Sequence, residues 1–145
     1  MALGLACKDG DLRVEMCEVR VSEQTKENSP ESLVRVIGRC RFDLSSEKRL
    51  QAGMEQVLRN LGVRFEREKR LNATDIPDFF IEGGIAVECK MKDKAKKMAV
   101  YAQVRRYAGH PEVKAIILAT NISMGFPEQI EGKPVFLASL SAGWM

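Results

Sequence analysis

The sequence predicts an α/β domain organised on a sheet of mixed strand directions, and three observations carry that reading. Two short apolar runs, Pro77 to Ile81 and Ile85 to Cys89, flank Gly83-Gly84, the pattern of a tight hairpin. Two stretches, from Ser45 to about Leu61 and from Asp93 to Tyr107, read as helices. Finally, Val113 to Thr120 contains Ala-Ile-Ile-Leu-Ala, a continuous apolar run typical of a strand covered on both faces. A strand, a hairpin, a helix and a buried strand in that order combine antiparallel and parallel pairing in one sheet.

At 145 residues the chain is long enough for one well-formed core and too short for two independent ones. It divides on paper into residues 1–44, an N-terminal β-hairpin extension, and residues 45–145, the core. The net charge of +3 permits nucleic-acid binding without demanding it, so the distribution of charge has to decide. Cysteines at 7, 17, 40 and 89 include no C-x-x-C pair and have only His110 to join them, which argues against zinc and for free thiols in a reducing cytosol. His110, beside Pro111, reads as a helix-end or turn residue. Met1 to Ala6 is too short for a signal peptide, and no run approaches the length of a membrane span. The expectation is a soluble cytoplasmic protein with no membrane partner.

Taken in order, Val14, Met16, Val19 and Val21 alternate with charged residues but change parity at Cys17-Glu18, which predicts a bulged strand. Ser22 to Ser32 is polar and predicts a loop. Val34, Val36, Cys40 and Phe42 alternate against Arg35, Ile37, Arg39 and Arg41, predicting a second strand with three arginines on one face. Those arginines have three readings: edge protection, a nucleic-acid surface, or part of a hairpin through which two copies form a homodimer.

Asp43 or Ser45 can cap the first core helix, whose stripe is Leu50, Met54, Val57, Leu58 and Leu61, and Gly62 ends it. Val63 to Leu71 predicts the first core strand, with Val63 and Phe65 inward, before a loop over Asn72 to Asp75. In the second helix the small residues Ala95, Ala99 and Ala102 are available for close packing, and Gly109 and Pro111 close it. Asn121 to Lys133 predicts a loop and Val135 to Leu140 the last strand.

The chemistry concentrates between Ile76 and Lys90. With Glu82, Gly83 and Gly84 as the hairpin loop, Ile81 pairs with Ile85 and Asp78 falls opposite Glu88. Residues that face each other share a sheet face, so Asp78, Glu88 and Lys90 lie on one side, with Phe79, Ile81, Ile85, Val87 and Cys89 on the other. Two carboxylates suit a hard cation such as Mg²⁺ or Mn²⁺. An ammonium beside them can orient water or stabilise charge developing on a phosphate. The plainer readings are a turn aspartate after Pro77 and a solvated strand face at Glu88 and Lys90.

Pro77-Asp78 followed by Glu88-Cys89-Lys90 resembles the PD-(D/E)xK nuclease superfamily, which includes restriction enzymes, Holliday-junction resolvases and RecB-like nucleases. The resemblance covers Ser45 to about Leu140. It implies a restriction-endonuclease-like αβββαβ core, a metal held by Asp78, Glu88 and the backbone carbonyl of Cys89, and a catalytic Lys90. It also implies an added acidic residue from the first helix. Glu47 and Glu55 are the candidates, eight residues apart and hence about 80 degrees apart around the helix; Glu66 and Glu68 are further ones. Ser-Glu-Lys-x-Leu-Gln resembles helix starts in some small phage-encoded nucleases, which favours Glu47, although a first-turn glutamate also suits the helix dipole.

Gln103 and Tyr107 share a helix face by their i,i+4 spacing, and Gln-x-x-x-Tyr resembles the motif that RecB-like nucleases set beside their metal. Lys92, Lys94, Lys96, Lys97, Arg105 and Arg106 follow the Glu-x-Lys strand. They suit either a solvated helix face or contacts to DNA phosphates. No Walker sequence occurs, and aromatics are too few for a broad base-stacking platform.

The expected function is a Mg²⁺-dependent deoxyribonuclease, endonuclease or exonuclease, acting in recombination, repair or DNA degradation, and working in the host cytoplasm if phage-encoded. The alternatives are a non-catalytic nucleic-acid-binding module of the same fold and a protein-interaction domain.

Overall fold

In the computed structural model, residues 29–91, 96–123 and 125–142 are described. Their order is α1 (Pro30–Arg39), β1 (Arg41–Phe42), α2 (Glu47–Leu61), β2 (Phe65–Arg67), β3 (Phe79–Ile81), β4 (Ile85–Lys90), α3 (Lys97–Ala108), β5 (Ala115–Thr120), β6 (Gln129–Ile130), β7 (Lys133–Ser139) and β8 (Ser141–Ala142). The main sheet is six-stranded in the order β2-β3-β4-β5-β7-β6. β2, β3 and β4 are antiparallel neighbours, β4, β5 and β7 run parallel, and β6 returns antiparallel on β7. This is an α/β fold with a mixed sheet, as the sequence predicts.

The sheet is covered on both faces. Ile85, Val87, Cys89, Ala115, Ile117 and Ala119 point to one side, where they pack with Leu33, Val36 and Ile37 of α1 and Leu50, Met54, Val57 and Leu58 of α2. Ala86, Ile116 and Leu118 point to the other, against Val100, Val104, Tyr107 and Ala108 of α3. All six residues of β5 are buried, as the unbroken apolar run implies.

The described half of the expected N-terminal hairpin is a helix. Alternation over Val34 to Phe42 predicts a strand, but Leu33, Val36, Ile37 and Cys40 also recur at helical spacing. Burial of Leu33, Val36 and Ile37 on that stripe goes with the helix. Local signals agree with it: Ser29 Oγ accepts from Ser32 N at 3.2 Å, Pro30 occupies the first turn, Glu31 follows and Arg39 sits in the last turn. Ile37, expected among the arginines on a polar face, is fully buried. Phe42 and Cys40 join the same core as α2, so residues 30–42 pack into the body of the fold. Val14 to Val21, the other expected strand, lies outside the described residues.

Other departures are smaller. Ser46 caps α2 by accepting from Arg49 N at 3.1 Å, whereas Ser45 turns back on Asp43. The strand expected over Val63 to Leu71 spans only Phe65–Arg67 and stops at Glu68, which has a positive φ of 52°. Ala99 and Ala102 of α3 are exposed and Ala95 is outside the described residues; the larger Val100, Val104 and Tyr107 make the contact instead. The loop expected over Asn121 to Lys133 holds the short β6, and β8 pairs in parallel with β1. Gly62 does end α2, in the left-handed conformation.

The hairpin register is set by its loop. Ile81 pairs with Ile85 and Phe79 with Val87, while Gly83 and Gly84 adopt φ of 102° and 95°. The two glycines differ in surroundings. A Cβ on Gly83 would meet open space, but on Gly84 it would lie 2.5 Å from Lys114 Cγ and 2.8 Å from the Glu112 carbonyl oxygen. Gly84 O also accepts from Lys114 N at 2.7 Å, joining the loop to the start of β5. Gly83→Ala should therefore cost about 1–2 kcal/mol from backbone conformation alone, and Gly84→Ala clearly more, as read by urea denaturation. Equal losses would mean that the contact with residues 112–114 does not constrain the hairpin.

Candidate active site

Continuing the β3–β4 pairing by one step brings Asp78 opposite Glu88 at the end of the ladder. The contacts agree: Cys89 N donates to Asp78 Oδ2 at 2.8 Å, and Asp78 N approaches Glu88 Oε1 at 3.4 Å. Pro77 is buried and Asp78 is half-buried, while Glu88 is only 4% exposed. Glu88 stands on the α3 side of the sheet, where its partners come from two elements. Tyr107 of α3 donates its hydroxyl to Glu88 Oε1 at 3.0 Å, and Gln103 Nε2 donates to that hydroxyl at 2.9 Å. Lys90 Nζ lies 3.3 Å from Glu88 Oε2. Asp78, Glu88, Lys90, Gln103 and Tyr107 thus meet in one place.

Two carboxylates held together in a poorly solvated position resist ionisation. Burial pushes Asp78 up to about 6, against the opposing help of the Cys89 N–H and Lys90. Burial, then the charge on Asp78, pushes Glu88 up to about 7, with Lys90 and Tyr107 pulling the other way. The Tyr107 hydroxyl is driven well up by burial and by the Glu88 charge, so it stays a donor. Cys89, fully covered, is likewise held as a neutral thiol by burial and by the surrounding carboxylates.

The helix glutamates separate. Glu47, half-buried in the first turn of α2, is close enough that its charge helps raise Asp78. Glu55 is committed elsewhere: its oxygens take Arg59 Nη2 at 2.6 Å and Arg67 Nη1 at 2.8 Å. Glu66 and Glu68 are exposed on and after the edge strand β2.

Among the expected basic residues, Lys96 and Lys97 are exposed at the start of α3, whereas Lys92 and Lys94 lie outside the described residues. Arg105 pairs with Glu131 at 3.0 Å. Arg106 does not simply face solvent: its Nε donates to Asp75 Oδ1 at 2.9 Å.

Asp75 is the residue whose role the sequence reading misses. It is buried, and Arg106, His110 Nε2 at 2.9 Å and Asn72 Nδ2 at 3.2 Å all converge on its carboxylate. Burial opposes its charge, but these hydrogen bonds hold the carboxyl below its usual range. The cluster fastens the loop immediately before Pro77-Asp78 to the end of α3. His110, expected as a helix-end residue, is one there and also a clamp. Asn72-x-x-Asp75, a turn pattern ahead of Pro77, was the available signal. Arg67 is also unforeseen; it lies opposite Phe79, one residue from Asp78, and its charge opposes the rise of the Asp78 carboxyl.

The donor set at this centre is hard: two carboxylates, with the Cys89 carbonyl beside them in sequence. Among the described residues no group of three His, Cys, Asp or Glu side chains converges in a ligand arrangement, so Asp78 and Glu88 form the nucleus and Glu47 stands at its margin. An oxygen-ligand cation such as Mg²⁺ or Mn²⁺ fits such a pair, because its charge would offset the burial and the neighbouring negative charge that raise both carboxyls.

Raised carboxyl pKa values have a definite sign in stability. The neutral forms are favoured by the fold, so their contribution is fully present below the ordinary carboxylate range and is lost as pH rises through about 6 to 7. In EDTA the protein should lose stability between pH 5.5 and pH 8, and Glu88→Gln should flatten that decline and gain on the order of 1 kcal/mol or more at pH 8. Thermal unfolding of both proteins across this range measures it; a wild-type profile that is flat or rises would contradict the burial of an uncompensated pair. Compared with known proteins, the chain matches no protein-family model, no curated protein and no solved structure.

Proposed function

We propose that this chain is a divalent-metal-dependent nuclease acting on DNA phosphodiester bonds, with a restriction-endonuclease-like core. One observation carries the reading: Asp78 and Glu88 lie together across a hairpin, with Lys90 on Glu88 and the Gln103-Tyr107 pair behind it. Supporting it is the element order from α2 to β5, helix, three strands, helix, strand, which is the order that the Pro-Asp and Glu-x-Lys resemblance implies.

Asp78, Glu88 and the Cys89 carbonyl would hold the cation, with Glu47 as the nearest added carboxylate. When bound, Mg²⁺ or Mn²⁺ supplies Lewis acidity toward a phosphoryl oxygen and lowers the pKa of water. The remaining work belongs to the chain. Lys90, 22% exposed at its side chain, can leave Glu88 Oε2 and donate to a phosphate oxygen or orient water, so its charge acts where charge develops. Tyr107 fixes Glu88 Oε1, and Gln103 fixes the Tyr107 hydroxyl, which keeps the carboxylate aimed. Lys96 and Lys97, exposed at the start of α3, can neutralise phosphates flanking the scissile bond.

Linear, circular, single-stranded and branched DNA incubated with Mg²⁺, Mn²⁺ or EDTA test the activity directly. Cleavage should require the metal. Lys90→Ala should lower the single-turnover rate at saturating DNA by about 10²–10³-fold while leaving affinity nearly intact. Tyr107→Phe should cost about 10–100-fold, and Glu47→Gln more than Glu55→Gln. Full activity in EDTA, or a Lys90→Ala protein that loses affinity alone, would refute the assignment.

A further inference from the structure

A second basic feature lies on the opposite side of the site from the α3 lysines. Glu55, Arg59, Arg64, Phe65 and Arg67 line an open groove of about 680 Å³ between the C-terminal half of α2 and the edge strand β2. Three guanidinium groups there face the Glu55 carboxylate, with Glu68 Oε2 also 4.0 Å from Arg67 Nη2. Glu55 takes Arg59 on one oxygen and Arg67 on the other, and each guanidinium also lies over a ring, Arg59 at 5.6 Å from the Phe65 centroid and Arg67 at 4.8 Å from that of Phe79. Arg64 is exposed and makes no ion pair with any described residue. Surface ion pairs contribute little to stability, about 0–1 kcal/mol each, so this arrangement is poorly explained as a support for the fold. Its clear effect is to hold two planar donors in fixed orientations, each with N–H groups left over.

At its Arg67 end the groove comes within one ladder position of Asp78. Arg67 pairs with Phe79 in the β2–β3 ladder, and Glu68 N donates to the Asp78 carbonyl oxygen at 3.0 Å. Along α2, Glu47, Gln51, Glu55 and Arg59 follow at four-residue spacing and form one ridge, and Arg67 reaches Glu55 at 2.8 Å and Gln51 at 3.5 Å. From Glu47 to Arg59 the ridge is about 18 Å long at 1.5 Å per residue, comparable to about five phosphates of one B-form strand at 3.4 Å each.

We infer that Arg59, Arg64 and Arg67 form a phosphate-binding track that guides a nucleic-acid backbone along the α2–β2 groove toward Asp78 and Glu88. The destination of the track rests on the nuclease reading; the binding itself does not. Arg67, fixed beside Asp78, receives the phosphate nearest the centre, and Arg59 and Arg64 receive those farther out.

The test is binding of the full-length protein to a labelled DNA duplex in EDTA, where no cleavage interferes, between 50 and 200 mM salt on the scale at which counterion release is read. Arg59→Ala/Arg64→Ala should lower the slope of log affinity against log salt by about two, and the double lysine variant should restore most of it, because the charge returns. Arg64→Glu, which touches an exposed side chain alone, should weaken binding further and serves if the double variant unfolds. An unchanged slope in these variants, or no salt-sensitive binding by the wild type, would overturn the track. A parallel digest with Mg²⁺ keeps the two ideas apart. Cleavage with an unchanged slope refutes the groove and leaves the nuclease standing, whereas a reduced slope without any cleavage does the reverse.

Discussion

Two carboxylates pressed together out of water are the constraint around which this structure is arranged. Asp78 and Glu88 repel each other and both lose solvation, so each is held above its ordinary pKa. Lys90 offsets part of this from 3.3 Å, and Arg67 opposes the rise of Asp78 from the neighbouring strand, but the charge of Glu47 adds to it and burial outweighs them. A fold under pressure only for stability would gain by replacing such a pair with apolar residues. Positive charge, from a cation, a proton or both, would relieve such a pair.

The rest of the architecture holds that pair in place from several sides. The Gly83-Gly84 loop sets the register that makes Asp78 and Glu88 opposite neighbours, and its contact with the start of β5 anchors the hairpin to the buried centre of the sheet. α3 supplies Tyr107 to one Glu88 oxygen, with Gln103 donating to the Tyr107 hydroxyl, and Arg106 near its far end and His110 just past it fasten Asp75 and thereby the approach to Asp78. α2 brings Glu47 from the other side. Each element therefore acts on the position of one carboxylate as well as on the core.

Much of this was legible in the sequence because it depends on local patterns. The hairpin followed from two glycines between apolar runs, the buried strand from Ala-Ile-Ile-Leu-Ala, and the Gln103-Tyr107 pairing from helical spacing. What was illegible depends on competition between patterns or on partners distant in the chain. Residues 33–42 satisfy both a two-residue and a helical repeat; the alternation of Val34, Val36, Cys40 and Phe42 predicts a strand and the polar Ser22 to Ser32 a loop, whereas Ser29, Pro30 and Glu31 start α1. The stripe of alanines in α3 suggested close packing, but packing followed the larger side chains. Between Glu47 and Glu55 the sequence offers only a resemblance that favours Glu47; the commitment of Glu55 depends on Arg67, which β2 brings from twelve positions away. Asp75 and His110 are 35 positions apart, and nothing local marks them as partners.

The central claim, that Asp78 and Glu88 form a proton-linked cation site, is tested most directly by calorimetric titration of the full chain with Mn²⁺ near pH 6.5 in two buffers of different ionisation enthalpy. Both carboxyls are partly protonated there, and a cation must displace those protons. The account predicts saturable binding with net proton release, and loss of both in Glu88→Gln. Absence of Mn²⁺ binding, or binding that survives Glu88→Gln unchanged, would contradict it.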